Sequence, residues 1–170
     1  MKKIISVILI LVCLGVFAGC AAEGAAPAAV PTGGTAANYE FAARYARTNG
    51  YIEDAGYPFV NIIRSHDELM AYYEANRDKF DLDSEVLKMC DAYDDAYFAA
   101  NSLILVTLEE TSGAISHEVT KVVGGDEWTV TIKRDVPESF TDDMAEWHIF
   151  VEVKAANVIP ENAAVNVVLE

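Results

Sequence analysis

The spacing of apolar residues divides this chain into three regimes. Ile4 to Leu14 is an unbroken apolar run behind Met1-Lys2-Lys3. Between Ser65 and about residue 96, apolar side chains return every three or four positions. From Ser102 onward they return mostly every second position. A period near 3.6 buries one stripe of a helix, and a period of 2 buries one face of a strand. The pattern therefore predicts two helices set between shorter strands and a larger set of strands.

The helical part has start signals. Ser65-His66-Asp67-Glu68 forms a capping box, so a helix follows to about Arg77 with Leu69, Tyr72, Tyr73 and Asn76 near one face. Asp83 caps a second helix over about 84–96, where Val86, Leu87, Cys90 and Tyr93 keep helical spacing. FAARYART (41–48) and FVNIIR (59–64) read as strands, separated by the turn-rich 48–58. SLILVTLE (102–109) is apolar on both faces, the mark of a central strand covered on both sides. Residues 115–123 alternate loosely, Gly124-Gly125 begins a tight turn, and EWTVTIKR (127–134) alternates cleanly. EWHIFVEVK (146–154) puts Trp147, Ile149, Val151 and Val153 on one face, and AVNVVLE (164–170) adds a last strand. The expected class is α+β: a mostly antiparallel meander running 102–109, 115–123, 127–134, with two helices before it.

The first apolar run is too short for a membrane span, which takes about 20 residues. A charged start, a short apolar run and small residues make a secretory signal. Leu14-Gly15-Val16-Phe17-Ala18-Gly19-Cys20 resembles the lipobox of bacterial lipoproteins, with Phe17 where leucine is commonest. The resemblance implies lipidation of Cys20 and cleavage before it. Two acyl chains on one cysteine are enough for stable anchoring. Residues 21–38, rich in Ala, Gly and Pro, lack a periodic apolar face and read as a tether. The expected organisation is a signal over 1–19, a lipid-anchored tether over 20–38, and one extracytoplasmic domain over 39–170, facing outward from the cell membrane.

Charge narrows the partners. The chain has 12 basic and 27 acidic residues, a net charge of −15, and loses Lys2 and Lys3 if the signal is cleaved. Such a surface repels nucleic acid and anionic membrane, and favours basic partners. Of the three cysteines, Cys13 and Cys20 lie in the signal and at the anchor, so Cys90 has no partner for a disulfide inside the domain.

The stretch YFAANSLILVTLEETSGAISHEVTKVV, a Gly turn, DEWTVTIKRDVPESF and EWHIFVEV resemble the C-terminal domain of PrcB-type lipoproteins. Those are accessory subunits of a secreted bacterial protease complex. Family members carry Thr-Gly-Gly-Tyr at one turn; here Thr111-Ser112-Gly113-Ala114-Ile115 departs from it. YARTNGY and YPFVNII upstream resemble uncharacterised lipoproteins of Gram-positive anaerobes. The resemblance implies a non-enzymatic, protein-binding subunit.

Candidate chemistry is sparse. Asp81-x-Asp83-x-Glu85 starts like a calcium loop, but Val86 stands where the loop needs Gly and Ala92 where it needs Glu. His66, His117 and His148 have no ligand spacing. Cys90, His117 and Asp142 follow the order of a nucleophilic trio, which makes a hydrolase one alternative. A loop-presenting protease inhibitor, as in the chagasin group with its Thr-Gly turn, is another. No cofactor is expected beyond calcium at the acidic loops. The meander brings two acidic segments together: Glu109, Glu110, Thr111, Ser112 and Gly113, and a loop with Asp142 and Asp143 leading to Trp147. These form the expected partner surface, with Tyr51 and Tyr57 as a second contact loop.

Overall fold

The computed structural model describes residues 36–53 and 55–170. The expected signal peptide, Cys20 and most of the expected tether lie outside the described residues. The elements run β1 (Ala37–Asn38), β2 (Phe41–Thr48), β3 (Phe59–Ile63), α1 (His66–Asn76), α2 (Ser84–Asp91), α3 (Asp95–Phe98), β4 (Ser102–Glu110), β5 (Ser116–Gly124), β6 (Trp128–Asp135), β7 (Ala145–Val153) and β8 (Val165–Leu169). The class is α+β with mainly antiparallel sheet, as the periodicity predicts. Ala37 and Asn38 pair with Gly124 and Val123, so the ladder takes in the end of the stretch read as tether.

The strands form two sheets, β2-β7-β4-β3 and β1-β5-β6-β8. Every pairing is antiparallel except β6 with β8. This corrects the expected path of the meander. β4 does not turn back to pair with β5; residues 111–115 carry the chain from the first sheet to the second. The reason lies in β4 itself, whose two edges are taken by β3 and β7.

The core has two layers, and β4 and β7 supply both. Ile104, Val106, Leu108, Ile149, Val151 and Val153 pack between the sheets against Val119, Val122, Trp128, Val130 and Ile132. Leu103, Leu105 and Phe150 point the other way, into the helices' Leu69, Tyr73, Val86, Cys90 and Phe98. Tyr93 stacks on Phe150 with ring planes 6° apart. The loose alternation of 115–123 has a cause: the register shifts between Val119 and Lys121. The bulge lets Val119 and Val122, three apart, both face inward. Gly124 closes this strand against Trp128, because a Cβ there would lie 2.6 Å from the indole ring.

The caps are as read. Ser65 accepts from the Glu68 amide, and Asp83 from the amides of Glu85 and Val86. Glu68 reaches back one residue further than a standard box, accepting from the Arg64 amide. The second helix is shorter than the expected 84–96. Asp94 accepts from the Tyr97 amide and starts α3, because a short carboxylate side chain competes for free amides at a helix start.

Candidate functional site

The two acidic segments do converge, at the end of the sandwich where β4 and β6 finish and β5 and β7 begin. The Gly113 amide donates to the Asp143 carbonyl at 3.1 Å, and Ser112 Oγ donates to Asp143 Oδ1 at 2.8 Å. Thr141 Oγ1 donates to the same oxygen at 2.7 Å, and Arg47 Nη2 reaches the other at 3.1 Å. The hydrogen bonds from Thr141 and Ser112 hold the Asp143 carboxyl below its usual range.

Glu110 departs from the expectation of a free acidic rim. It is buried at the end of β4 and is met by the Arg134 guanidinium and the His117 imidazole. Arg134 Nε donates to Oε1 at 2.7 Å while its Nη2 takes Oε2, and His117 Nε2 lies 2.9 Å from Oε1. Burial pushes the Glu110 carboxyl up, but the bonds from His117 and Arg134 outweigh it and hold it below the ordinary value. Ser112 is buried, and Trp147 is half-buried with its ring edge against His117. Glu109, Thr111, Asp142 and Asp143 remain exposed, and Gly113 is half-buried.

Between these segments and β8 opens a cleft of about 350 Å³. Leu108 and the Glu110–Arg134 pair lie at its base, Tyr57 and Pro58 on one wall, and Met144 and Leu169 on its lip. The volume falls in the range of ligand and peptide pockets, roughly 300–1,000 Å³. The exposed large apolar side chains among the described residues are Val136, Phe140, Met144, Val168 and Leu169, between 38% and 47% exposed. All five come from two segments, the loop after β6 and the end of β8. β6, which leads into that loop, meets the end of β8 where the Arg134 amide donates to the Glu170 carbonyl at 2.8 Å, and Met144 and Leu169 line the cleft together. Apolar side chains gathered this way mark interaction sites more often than scattered ones do. Loop residues without periodicity carry no sequence signal for such gathering, so these five could not be singled out from pattern alone.

Tyr57 is half-buried and packs on Phe59 at 4.7 Å, while Tyr51 is also half-buried. The Tyr57 hydroxyl donates to Glu146, which begins a buried array on the helix-facing side of β7. Burial, then the Glu146 bond, push the Tyr57 phenol up. Glu146 Oε1 lies 3.5 Å from Thr48 Oγ1 and 2.6 Å from His148 Nε2, though that last contact is out of line for a hydrogen bond. His148 Nδ1 meets Thr107 Oγ1 at 3.4 Å, and Thr107 meets the Tyr72 hydroxyl at 3.3 Å. One signal for this array was present. EWHIFVEV puts Glu146, His148 and Glu152 opposite its apolar face, and its neighbour SLILVTLE is covered on both sides.

This array has proton-carrying groups, but Glu146 and His148 are fully buried, and none of its members is an exposed nucleophile. Cys90 lies in the helix–sheet core, and burial pushes its thiol up to about 12. A thiol held that high is protonated at neutral pH and is a poor nucleophile. His117, bound to Glu110 and packed on Trp147, is not its partner. Among the described residues, no three of His, Cys, Asp and Glu gather to hold a metal ion. Asp83, the third position of the calcium reading, spends its carboxylate on the α2 cap. No family model, curated protein or solved structure matches this chain.

Proposed function

We propose that this chain is a lipid-anchored extracytoplasmic protein that binds another protein without catalysing a reaction, as an accessory subunit of a secreted protease complex. One observation carries the reading: two of the exposed large apolar side chains, Met144 and Leu169, line the cleft at one end of the sandwich. Three features support it. The cleft's own charged pair, Glu110 with Arg134, is internally neutralised, so the base can receive an apolar group. The exposed Glu109, Asp135, Glu138 and Asp142 around it attract a basic surface and would speed encounter. The Ala/Gly/Pro tether would give the domain reach from the membrane.

A second reading, an inhibitor that offers loops to a protease cleft, draws on the bond between Gly113 and Asp143. That bond sets the 111–115 corner and the 136–144 loop side by side as one ridge. Inhibition assays on papain-like and subtilisin-like proteases separate the two readings.

A photoreactive side chain placed at Met144 tests the first reading in intact cells. It should give a discrete adduct that mass spectrometry identifies as a secreted protease or its companion subunit. The same group at Ala100, exposed at the other end of β4, should not. Adding Leu169→Asp to the Met144 probe should remove the adduct. Equal adducts from both positions, or none from either, would overturn the reading.

A further inference from the structure

The side of the sandwich that runs away from the cleft has two unpaired strand edges. Among the described residues, β3 ends the first sheet and pairs only with β4, and β8 ends the second and pairs only with β6. The two lie one above the other. The cleft has Tyr57 and Pro58, just before β3, facing Leu169 at the end of β8. A second cavity of about 380 Å³ continues along the same seam, with Val60, Ile62 and Arg64 facing Ala163 and Val165. The two cavities lie at the two ends of β8, and the shallow groove between them is the seam of β3 and β8, five residues or roughly 16 Å of strand.

Exposed edges are normally blunted by lysine, proline, bulges or short strands. Neither edge here has the first three. β3 reads Phe-Val-Asn-Ile-Ile and β8 Val-Asn-Val-Val-Leu, and both keep an unbroken register with their one neighbour. The side chains beneath the seam are apolar and only half covered: Val60, Ile62, Val165 and Val167 sit against the inter-sheet core at its open side. Along β8 the backbone groups alternate. The Ala164 carbonyl and both polar groups of Glu170 bond to β6, so those of Val165, Val167 and Leu169 point to the free edge.

We infer that this groove receives an extended segment of a partner protein, which adds to β8 as a further strand. Its alternate apolar side chains drop between β8 and β3, and a basic residue lies at the cleft end. Strand addition gains its hold from main-chain bonds and its selectivity from alternate side chains. The charge of the occupant follows from the rim. Glu109, Asp135 and Glu170 are exposed at the cleft end against the exposed cation Lys133, and Arg134, which lines the cleft, is already bound to Glu110. At the far end Arg64 is held by the Pro160 carbonyl at 2.8 Å. A second copy of this chain would bring the same acidic rim to the groove, so the charge argues for a different, basic chain. This inference rests on the protein-binding reading above and names the form of the bound partner.

The test uses the full chain in mild detergent and a synthetic decapeptide of alternating valine and threonine with lysine at both ends. Amide hydrogen exchange is followed residue by residue. The peptide should slow exchange at Val167 and Leu169 at least tenfold. A version with aspartate at both ends should bind at least tenfold more weakly. Val167→Pro removes an edge N–H without touching the ladder to β6, and should abolish the protection; Leu169→Pro provides a second variant. Protection confined to the 111–115 corner, or equal binding of both peptides, would overturn strand addition. So would sedimentation showing a dimer that Val167→Pro dissociates. If the Met144 adduct forms in cells but the peptide protects nothing on β8, only the strand mode fails. If the peptide protects β8 but no adduct forms, the accessory-subunit reading fails and the groove stands.

Discussion

Glu110 shows how one residue can change sign in an argument. In the sequence it belongs to an acidic run; in the fold it is buried beneath Arg134 and beside His117. Removing one member of a buried pair strands the other, which costs more than the pair contributes. Arg134 is about one-third exposed, so water softens that cost. Glu110→Gln should therefore destabilise the domain by about 2 kcal/mol at pH 7. The pH dependence follows from the lowered carboxyl. A group whose folded pKa is depressed stabilises above its unfolded value, near 4.3, and that contribution fades as pH falls through the folded value. The gap between wild type and Glu110→Gln should thus be present at pH 7 and close below about pH 4. Thermal melts of both proteins across this range check it; a gap unchanged at pH 3 would mean the carboxylate is not the source.

At the scale of the element, local chemistry was legible wherever a single side chain decides. Ser65 and Asp83 cap the helices read from them. Asp83→Ala should lower stability by about 1 kcal/mol, roughly 4 °C in melting temperature. Asp81→Ala, which removes no cap, should change it much less. Equal losses, with calcium restoring the wild type alone, would revive the calcium loop and sink the cap. Two element features were not legible, for physical reasons. The break at Ala92–Asp94 follows from Asp94 taking a cap role that mid-helix spacing does not reveal. The corner at 111–115 resembles a hairpin turn in sequence. Whether a turn returns within a sheet or crosses to another depends on which edges are already paired, and β4's edges are filled by strands far away in the chain.

At the scale of the whole molecule, the mixed class and the alternate faces of β4, β6 and β7 were readable, because period and burial agree there. The convergence of the 109–113 and 142–147 segments was readable too, since β5 and β6 are antiparallel and the start of β5 lies beside the end of β6. The apolar lip was not, because it depends on β8 returning parallel to β6 beside Arg134, nor was the neutralisation of Glu110, because that depends on Arg134 and His117 reaching it from the second sheet. Anchoring belongs to this scale as well. Cys20→Ser should shift the protein from the membrane fraction to the medium while its melting temperature stays put. Fractionation with wild type already in the medium would remove the anchor from the proposal.

The central place of β7 bears on how quickly this chain can become itself. β7 is the neighbour of both β2 and β4, and among the described residues β2 has no other strand beside it in its sheet. Arg44 and Glu152, joined at 2.9 Å across that pairing, stand 108 residues apart. Closing so long a loop comes before any reward from the contact, so the first sheet assembles late, on the millisecond-to-second scale of non-local β proteins. During that interval a newly made chain is still threadable. If the chain crosses a membrane before folding, as the proposed anchoring requires, a topology whose keystone strand arrives near the end of synthesis suits it.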